Sequence, residues 1–106
     1  MNRIFLCVAS EIPAGRSREF LLPDGACVAV FHSGSGFYAV ENRCPHAGGT
    51  LSGGFLDQDV LMCIWHGWRF DLRTGECLTR PNARLRAYSL VIEEENLFLK
   101  LSQPQT

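Results

Sequence analysis

The sequence predicts an all-β protein folded as an antiparallel β-sandwich. Short segments rich in valine, leucine and phenylalanine follow one another, separated by turns that contain glycine or proline. No stretch of useful length repeats its apolar residues at the spacing of an amphipathic helix. Short strands separated in this way favour a sandwich or a barrel.

The first part of the chain contains four predicted strands. Its opening apolar segment lacks the length of a signal-peptide core, and Glu11 and Pro13 follow at once, so we interpret it as the first strand. Proline fixes φ and glycine tolerates positive φ, and these two residues mark the turns between the strands. The predicted strands are Arg3–Val8, 18–22, 26–32 and Phe37–Glu41, with turns at 13–15, 23–25 and 34–36.

The second part changes character between residues 42 and 78, which are rich in glycine and include both tryptophans. Two hairpin-like units fit this region, and a closing hairpin follows a loop that contains Pro81. A polar tail ends the chain at 102–106. The hairpins are predicted at 55–56 with 60–63, at 69–72 with 76–78 and at 86–93 with 97–101, the last turned at 94–96.

Length and charge restrict the class of protein. A chain of 106 residues predicts one domain, 1–106. The net charge of −1 gives no electrostatic case for binding nucleic acid or an anionic membrane. The longest apolar runs, 4–9 and 26–31, are far shorter than the roughly 18 residues that cross a membrane, so no membrane anchor is expected.

Two short motifs carry the chemical signal. Cys44-Pro45-His46 is followed, after sixteen residues, by Cys63-Ile64-Trp65-His66, so each motif offers one thiolate and one imidazole. Two thiolates and two imidazoles suit either a tetrahedral zinc ion or a [2Fe–2S] cluster with sulfur ligands on one iron and nitrogen ligands on the other. Zinc fingers usually pair cysteine with cysteine and histidine with histidine, so the mixed pairs favour the cluster.

The segments 44–54 and 63–71 resemble the two cluster-binding loops of Rieske proteins, and the whole chain resembles a Rieske-type ferredoxin of multicomponent ring-hydroxylating oxygenases. The resemblance implies a Rieske-type sandwich with a cluster-binding subdomain of two loops at about 42–82. It also implies one [2Fe–2S] cluster per chain, with Cys44 and Cys63 on one iron and His46 and His66 on the other.

The resemblance further implies a soluble one-electron carrier between an NAD(P)H-dependent flavoprotein reductase and a terminal oxygenase. Pro45 and the segment 68–70 occur equally in small Rieske subunits similar to that of assimilatory nitrite reductase, which is the alternative. A zinc-stabilised interaction module is the third possibility, and iron analysis distinguishes it from the other two.

Three cysteines remain after the two candidate ligands are set aside. Cys7, Cys27 and Cys77 are odd in number, and we expect all three to be small buried thiols. Free thiols indicate a reducing cytoplasm. Some Rieske proteins join their two loops by a disulfide, but the matching positions here are Gly49 and Trp65, so that bridge is impossible in this chain.

The residues after the second motif predict a low reduction potential. High-potential relatives place serine and tyrosine hydroxyls near the cluster sulfurs, whereas the matching positions here are Trp68 and Phe70. Hydrogen-bond donors to sulfur stabilise the reduced cluster, so their loss lowers the potential. We therefore expect a midpoint potential of about −150 mV, at the bottom of the Rieske range.

The histidine count argues against an oxygenase. A mononuclear oxygenase iron needs two histidines and a carboxylate, and only His32 remains once His46 and His66 bind the cluster. We expect His32 to be structural or exposed, and the chain to transfer electrons without transforming a substrate. Residues 93–95, all glutamate, are expected to form a solvated turn. Gly67, like the loop glycines 48, 49, 53 and 54, is expected to allow a tight turn.

Overall fold

The computed structural model describes residues 3–43, 51–63, 67–80 and 83–100. Within these ranges the backbone is mostly extended, with a single turn of 3-10 helix at Ala9–Glu11. No helix in these ranges is long and apolar enough to cross a membrane. The strands are β1 (Arg3–Val8), β2 (Ser17–Leu21), β3 (Cys27–His32), β4 (Phe37–Glu41), β5 (Phe55–Asp57), β6 (Val60–Met62), β7 (Arg69–Asp71), β8 (Ala87–Tyr88), β9 (Leu90–Glu93) and β10 (Asn96–Lys100).

The described strands form three antiparallel sheets. Sheet I has the order β1-β10-β9, and sheet II has the order β2-β3-β4-β8. Sheet III is a small meander, β5-β6-β7, inserted between β4 and β8. All of the pairings are antiparallel, so the predicted all-β antiparallel architecture is confirmed.

Sheet II is covered on both of its faces. In β3, Val28 and Val30 contribute to a core with sheet I, while Ala29 and Phe31 contribute to a second core with sheet III. Side chains alternate between the two faces of a strand, so a strand covered on both sides needs apolar residues at every position. This double cover explains why β3 has the longest run of buried residues among the described strands, residues 28–31.

The two cores differ in which sheets supply them. The sandwich core lies between sheets I and II, and the loop-side core lies between sheets II and III. The sandwich core consists of Cys7, Ile12, Leu22, Val28, Val30, Ala39, Leu97 and Leu99. The loop-side core consists of Ala29, Phe31, Val40, Leu51, Leu61, Cys63, Phe70, Leu72, Cys77 and Leu85.

A carboxylate joins sheet II to sheet III at the end away from the two motifs. Asp59, in the β5–β6 turn, accepts hydrogen bonds from the hydroxyls of Ser33 (2.5 Å) and Ser35 (2.8 Å) in the β3–β4 turn. These bonds hold the pKa of Asp59 below its usual range, the bond from Ser33 contributing most.

Most predicted strands agree with the structure to within one or two residues, but two predictions were wrong. The segment 86–93 is not one strand: β8 pairs with β4 in sheet II and β9 pairs with β10 in sheet I, with Ser89 between them. The strand is interrupted at Ser89 because the chain crosses there from sheet II to sheet I. The segment 76–78 forms only single bridges, Phe70 with Cys77 and Glu76 with Arg84.

The expected burial of all three spare cysteines was also wrong in one case. Cys7 and Cys77 are buried, but Cys27 is exposed. Cys27 is the first residue of β3 and shares a face with Ala29, yet it lies beyond the point where sheet III covers that face. Burial raises the pKa of the Cys7 thiol, as expected for a thiol inside the sandwich core.

Candidate metal centre

Asn42 closes the base of the first motif's loop. Its side-chain oxygen accepts hydrogen bonds from the backbone N–H groups of Leu51 (2.8 Å) and Ser52 (2.9 Å). The backbone N–H of Asn42 donates to the Cys27 carbonyl at 2.9 Å, and Asn42 is only 5% exposed. One buried amide therefore holds together the two ends of the segment that contains Cys44 and His46.

Glu19 of β2 adds a second tie at the same place. The Ser52 hydroxyl donates to the Glu19 carboxylate, and the Ser17 hydroxyl donates to the Ser52 carbonyl at 2.7 Å. The bond from Ser52, followed by one from Asn42, lowers the pKa of Glu19. The returning end of the first loop is thus fixed to sheet II by side chains as well as by Asn42.

The second motif's loop is closed by backbone hydrogen bonds. The Cys63 N–H donates to the Trp68 carbonyl at 2.8 Å, and the Gly67 N–H donates to the Cys63 carbonyl at 2.9 Å. Gly67 has φ +72°, a conformation that favours glycine, so its predicted role in a tight turn is confirmed. Cys63 and Gly67, which flank the segment containing His66, therefore lie at the end of the β6–β7 hairpin, where Met62 pairs with Arg69.

The two loop bases lie side by side at one end of sheet III. Leu51 and Cys63 are both buried in the loop-side core. Gly54 approaches the backbone of β6 so closely that a Cβ atom there would lie 2.5 Å from the Met62 carbonyl oxygen. The fold therefore brings the ends of both motif segments to the same region, as a site shared by the two motifs requires.

A third segment flanks the second loop base. The Leu78 N–H donates to the Arg69 carbonyl at 2.7 Å, and the Arg69 N–H donates to the Thr79 hydroxyl at 3.1 Å. The Arg80 guanidinium lies 5.5 Å from the centre of the Trp68 ring, and its backbone N–H donates to the Cys77 sulfur at 3.3 Å. Pro81, expected in this loop, lies outside the described residues.

Of the four candidate ligands, the structure describes Cys63, which is 1% exposed in the loop-side core. Cys44, His46 and His66 lie outside the described residues, as do Gly49 and Trp65. Cys7 lies in the other core, and Cys77 accepts the hydrogen bond from Arg80. Together the two motifs supply two thiolates and two imidazoles, which is the donor set of a Rieske cluster, so their residue types fit that group.

His32 has a structural role, as expected. Its Nδ1 lies 2.8 Å from the Ile12 carbonyl oxygen, and its ring stacks on Phe37 with centroids 4.1 Å apart. Asn42, in contrast, was missed as a site residue. The only signal in the sequence was that Asn42 is polar and lies two residues before Cys44. Its hydrogen bonds reach residues nine and ten positions ahead, and contacts of that kind leave no periodic pattern in a sequence.

Comparison with known proteins agrees with this geometry. The family model of the Rieske [2Fe–2S] domain matches residues 2–89. The 3-phenylpropionate/cinnamic acid dioxygenase ferredoxin subunit of Photorhabdus laumondii is 33% identical over 108 residues, covering 99% of this chain and all of that protein. The subunit of the same name from Escherichia coli K12 is 32% identical, with 99% of each chain covered.

Solved structures share the fold. A chain in the complex of reduced oxygenase and oxidized ferredoxin of carbazole 1,9a-dioxygenase superposes with a TM-score of 0.83 at 32% identity, covering 91% of this chain and 99% of that one. A nitrite reductase small subunit from Mycobacterium tuberculosis gives 0.89 at 24% identity, with 97% of each chain covered, which shows the fold alone. With the family match over most of its length, this chain belongs to the Rieske [2Fe–2S] domain family and is similar throughout to dioxygenase ferredoxin subunits.

Proposed function

We propose that this chain is the one-electron carrier of a ring-hydroxylating oxygenase system, taking electrons from an NAD(P)H-dependent flavoprotein reductase and passing them to a terminal oxygenase. The observation that carries this proposal is the full-length similarity to dioxygenase ferredoxin subunits at 32–33% identity. The [2Fe–2S] cluster supplies reversible one-electron chemistry when bound. The protein fixes the loop bases through Asn42 and the Cys63–Trp68 hydrogen bond.

We assign Cys44 and Cys63 as ligands of one iron, and His46 and His66 as ligands of the other. The burial of Cys63 and the adjacent bases of the two loops support this assignment. The alternative interpretation, a zinc-stabilised module, is supported neither by the family match nor by the order of the candidate ligands, which differs from that usual in zinc fingers. We further propose that residues 1–106 act as one domain whose cluster-binding part is about 42–82.

The alternative, a small subunit similar to that of assimilatory nitrite reductase, has weaker support. Its solved representative is 24% identical, whereas the dioxygenase ferredoxins reach 33% over the whole chain. Copurification of the native chain with a larger reductase subunit would favour the alternative. Reduction of the chain by a separate flavoprotein, followed by electron transfer from the chain to a separate oxygenase, would favour the electron carrier.

The expected low potential is consistent with the side chains beside the second loop base. Phe70 is completely buried and has no hydroxyl, and Trp68 packs against it with ring centroids 6.5 Å apart. Since neither residue offers a hydroxyl to a cluster sulfur, we expect a midpoint potential of about −150 mV. A midpoint well above zero in protein-film voltammetry would contradict this expectation.

A carrier without catalytic activity of its own is also supported by the histidines. The chain has three, and His32 is held by the Ile12 carbonyl and Phe37, at the opposite end of β3 from the loop base closed by Asn42. No pair of histidines is therefore left for a mononuclear iron. We place the protein in the cytoplasm, where Cys7, Cys27 and Cys77 would stay reduced.

Metal analysis and spectroscopy of the purified chain test this proposal. We expect two irons and two sulfides per chain and, after dithionite reduction, an EPR signal typical of histidine-ligated clusters. Cys63→Ser and Cys44→Ser should yield colourless or insoluble protein, whereas the control Cys7→Ala should keep the visible spectrum. Zinc without sulfide, or loss of colour in the Cys7 variant, would contradict the ligand assignment.

A further inference from the structure

The outer face of sheet III carries a row of side chains at the end nearest the loop bases. Phe55 pairs with Met62, Met62 pairs with Arg69, and the Leu78 N–H bonds to the Arg69 carbonyl, so these four residues lie next to one another across the sheet. Their neighbours in sequence, such as Leu61 and Phe70, point into the loop-side core. We call Phe55, Met62, Arg69 and Leu78 the outer row.

The outer row exposes more apolar surface than folding alone explains. Phe55 is 64% exposed and Leu78 is 54% exposed, although both are large apolar residues. Contiguous apolar side chains on the surface of a small domain mark an interaction site more often than single ones do. Aromatic residues, methionine and arginine are also the residue types enriched in protein–protein interfaces.

The row adjoins the candidate metal centre. Met62 directly precedes Cys63, and Arg69 directly follows Trp68, whose carbonyl closes the second loop. Phe55 follows Gly54, which contacts the backbone of Met62. A protein that covers the outer row would therefore also reach the end of the molecule where both motif loops begin and end.

The charge of the row specifies the kind of partner. Arg69 and Arg80 form no ion pair with a carboxylate, and every aspartate and glutamate of the chain lies in the described residues. On the same face, two positions further along β7, Asp71 is already paired with Arg73 at 3.0 Å. The end of the face nearest the loops is therefore apolar and cationic, which is complementary to an apolar surface bordered by carboxylates.

We propose that the outer row, with Arg80 beside it, is the docking surface for the terminal oxygenase, and that the oxygenase presents an apolar patch with acidic residues to it. This proposal rests on the proposed function. The apolar residues would supply the affinity, and the arginines would steer encounter and set orientation. The reductase is the alternative occupant, which the experiment below separates.

The test measures electron transfer in a stopped-flow instrument from the dithionite-reduced chain to the oxidised terminal oxygenase of the E. coli K12 3-phenylpropionate dioxygenase system. The double variant Phe55→Ser/Leu78→Ser should lower the second-order rate constant about tenfold. Arg69→Glu should lower it at low salt by a similar factor and weaken its dependence on ionic strength, while Arg69→Lys should retain most of the rate.

Two control variants match these changes elsewhere on the surface. Ile92→Ser removes an apolar side chain that is 51% exposed on sheet I, on the far side of sheet II. Lys100→Glu makes the same change from a positive to a negative charge at a lysine of β10 that forms no ion pair within the described residues, on sheet I and so also on the far side of sheet II. Both should leave the rate constant within about twofold, since they lie outside the proposed interface.

The outcomes are distinguishable. Visible spectra, EPR signals and midpoint potentials of all variants show whether the cluster is intact and whether the driving force has changed. If the outer-row variants transfer electrons to the oxygenase at the wild-type rate, the outer row is not the docking surface, and the proposed function is unaffected. A loss confined to reduction by the reductase would overturn the assignment to the oxygenase. No transfer from the wild-type chain would count against the proposed function and, with it, the docking surface.

Discussion

The sandwich of sheets I and II and the loop-side region built on sheet III are stabilised differently. β1, β3 and β10 have five or six residues each, whereas every strand of sheet III has three. The loop-side region compensates with hydrogen bonds to side chains: Asn42 accepts from backbone N–H groups, and Asp59 accepts from serine hydroxyls. Short strands give few ladder bonds, so this region depends on particular side chains, whereas the sandwich depends on its extended apolar strands.

The largest effects should come from truncating one core at a time. Leu61 and Leu97 are both completely buried, one in each core, and replacing either by alanine should cost about 2–5 kcal/mol of unfolding free energy. In urea, Leu61→Ala should bleach the cluster absorbance before the circular dichroism changes. Leu97→Ala should shift both signals together. Coincident transitions in the Leu61 variant would show instead that the two cores unfold as one unit.

Removing the Asn42 amide should be the next largest change. Asn42→Ala leaves the buried N–H of Leu51 and the N–H of Ser52 without their acceptor, and we expect a loss of about 2–3 kcal/mol. The loss should appear as cluster bleaching at lower urea concentration. The control is Ser33→Ala, which removes the hydrogen bond to Asp59 at the end of the loop-side region away from the loop bases. This variant should bleach at a higher urea concentration than Asn42→Ala. Equal bleaching midpoints in the two variants would refute a specific role for Asn42 at the loop base.

Acid should weaken the join between the two regions at Asp59. Because its folded-state pKa lies below its ordinary value, its contribution to stability is complete above the unfolded-state pKa and is lost as pH falls through the folded-state pKa. The stability difference between wild type and Asp59→Asn should therefore shrink below about pH 4. Urea midpoints between pH 7 and pH 3 measure it.

The smallest predicted effect is a gain in the sandwich. Glu94 and Glu95 form the β9–β10 turn with φ values of 51° and 69°, a conformation that costs non-glycine residues about 1 kcal/mol or more. Glu95→Gly should raise the unfolding free energy by about 1 kcal/mol and leave the cluster absorbance unchanged. A lower free energy of unfolding would show that the Glu95 side chain, and not its backbone, stabilises the turn.

Sequence patterns predicted the sandwich better than the loop-side region. The bounds of Phe37–Glu41 were predicted to the residue because a glycine turn precedes the strand. The division of 86–93 into β8 and β9 was not predicted, because the partner strand, which lies far away in the chain, decides where a strand changes sheets. The burial of Cys27 was wrong for a related reason: alternation gives a residue's face but not where the covering sheet ends.

The candidate site shows the same division. The two Cys-x-His and Cys-x-x-His motifs stand out by residue type alone, and the burial of Cys63 agrees with a ligand role. The assignment of Cys44, His46 and His66 remains a prediction. Asn42 and the outer row went unnoticed because their significance depends on which residues the sheets bring together.

The two hydrogen bonds that the Asn42 side-chain oxygen accepts from the returning end of the first loop have a consequence for engineering. Because Leu51 and Ser52 are held to Asn42 whatever lies before them, replacing the intervening residues by a segment of equal length from a relative should leave the supporting sheets undisturbed. We therefore expect the same supporting sheets to accept first loops from relatives whose clusters have different reduction potentials.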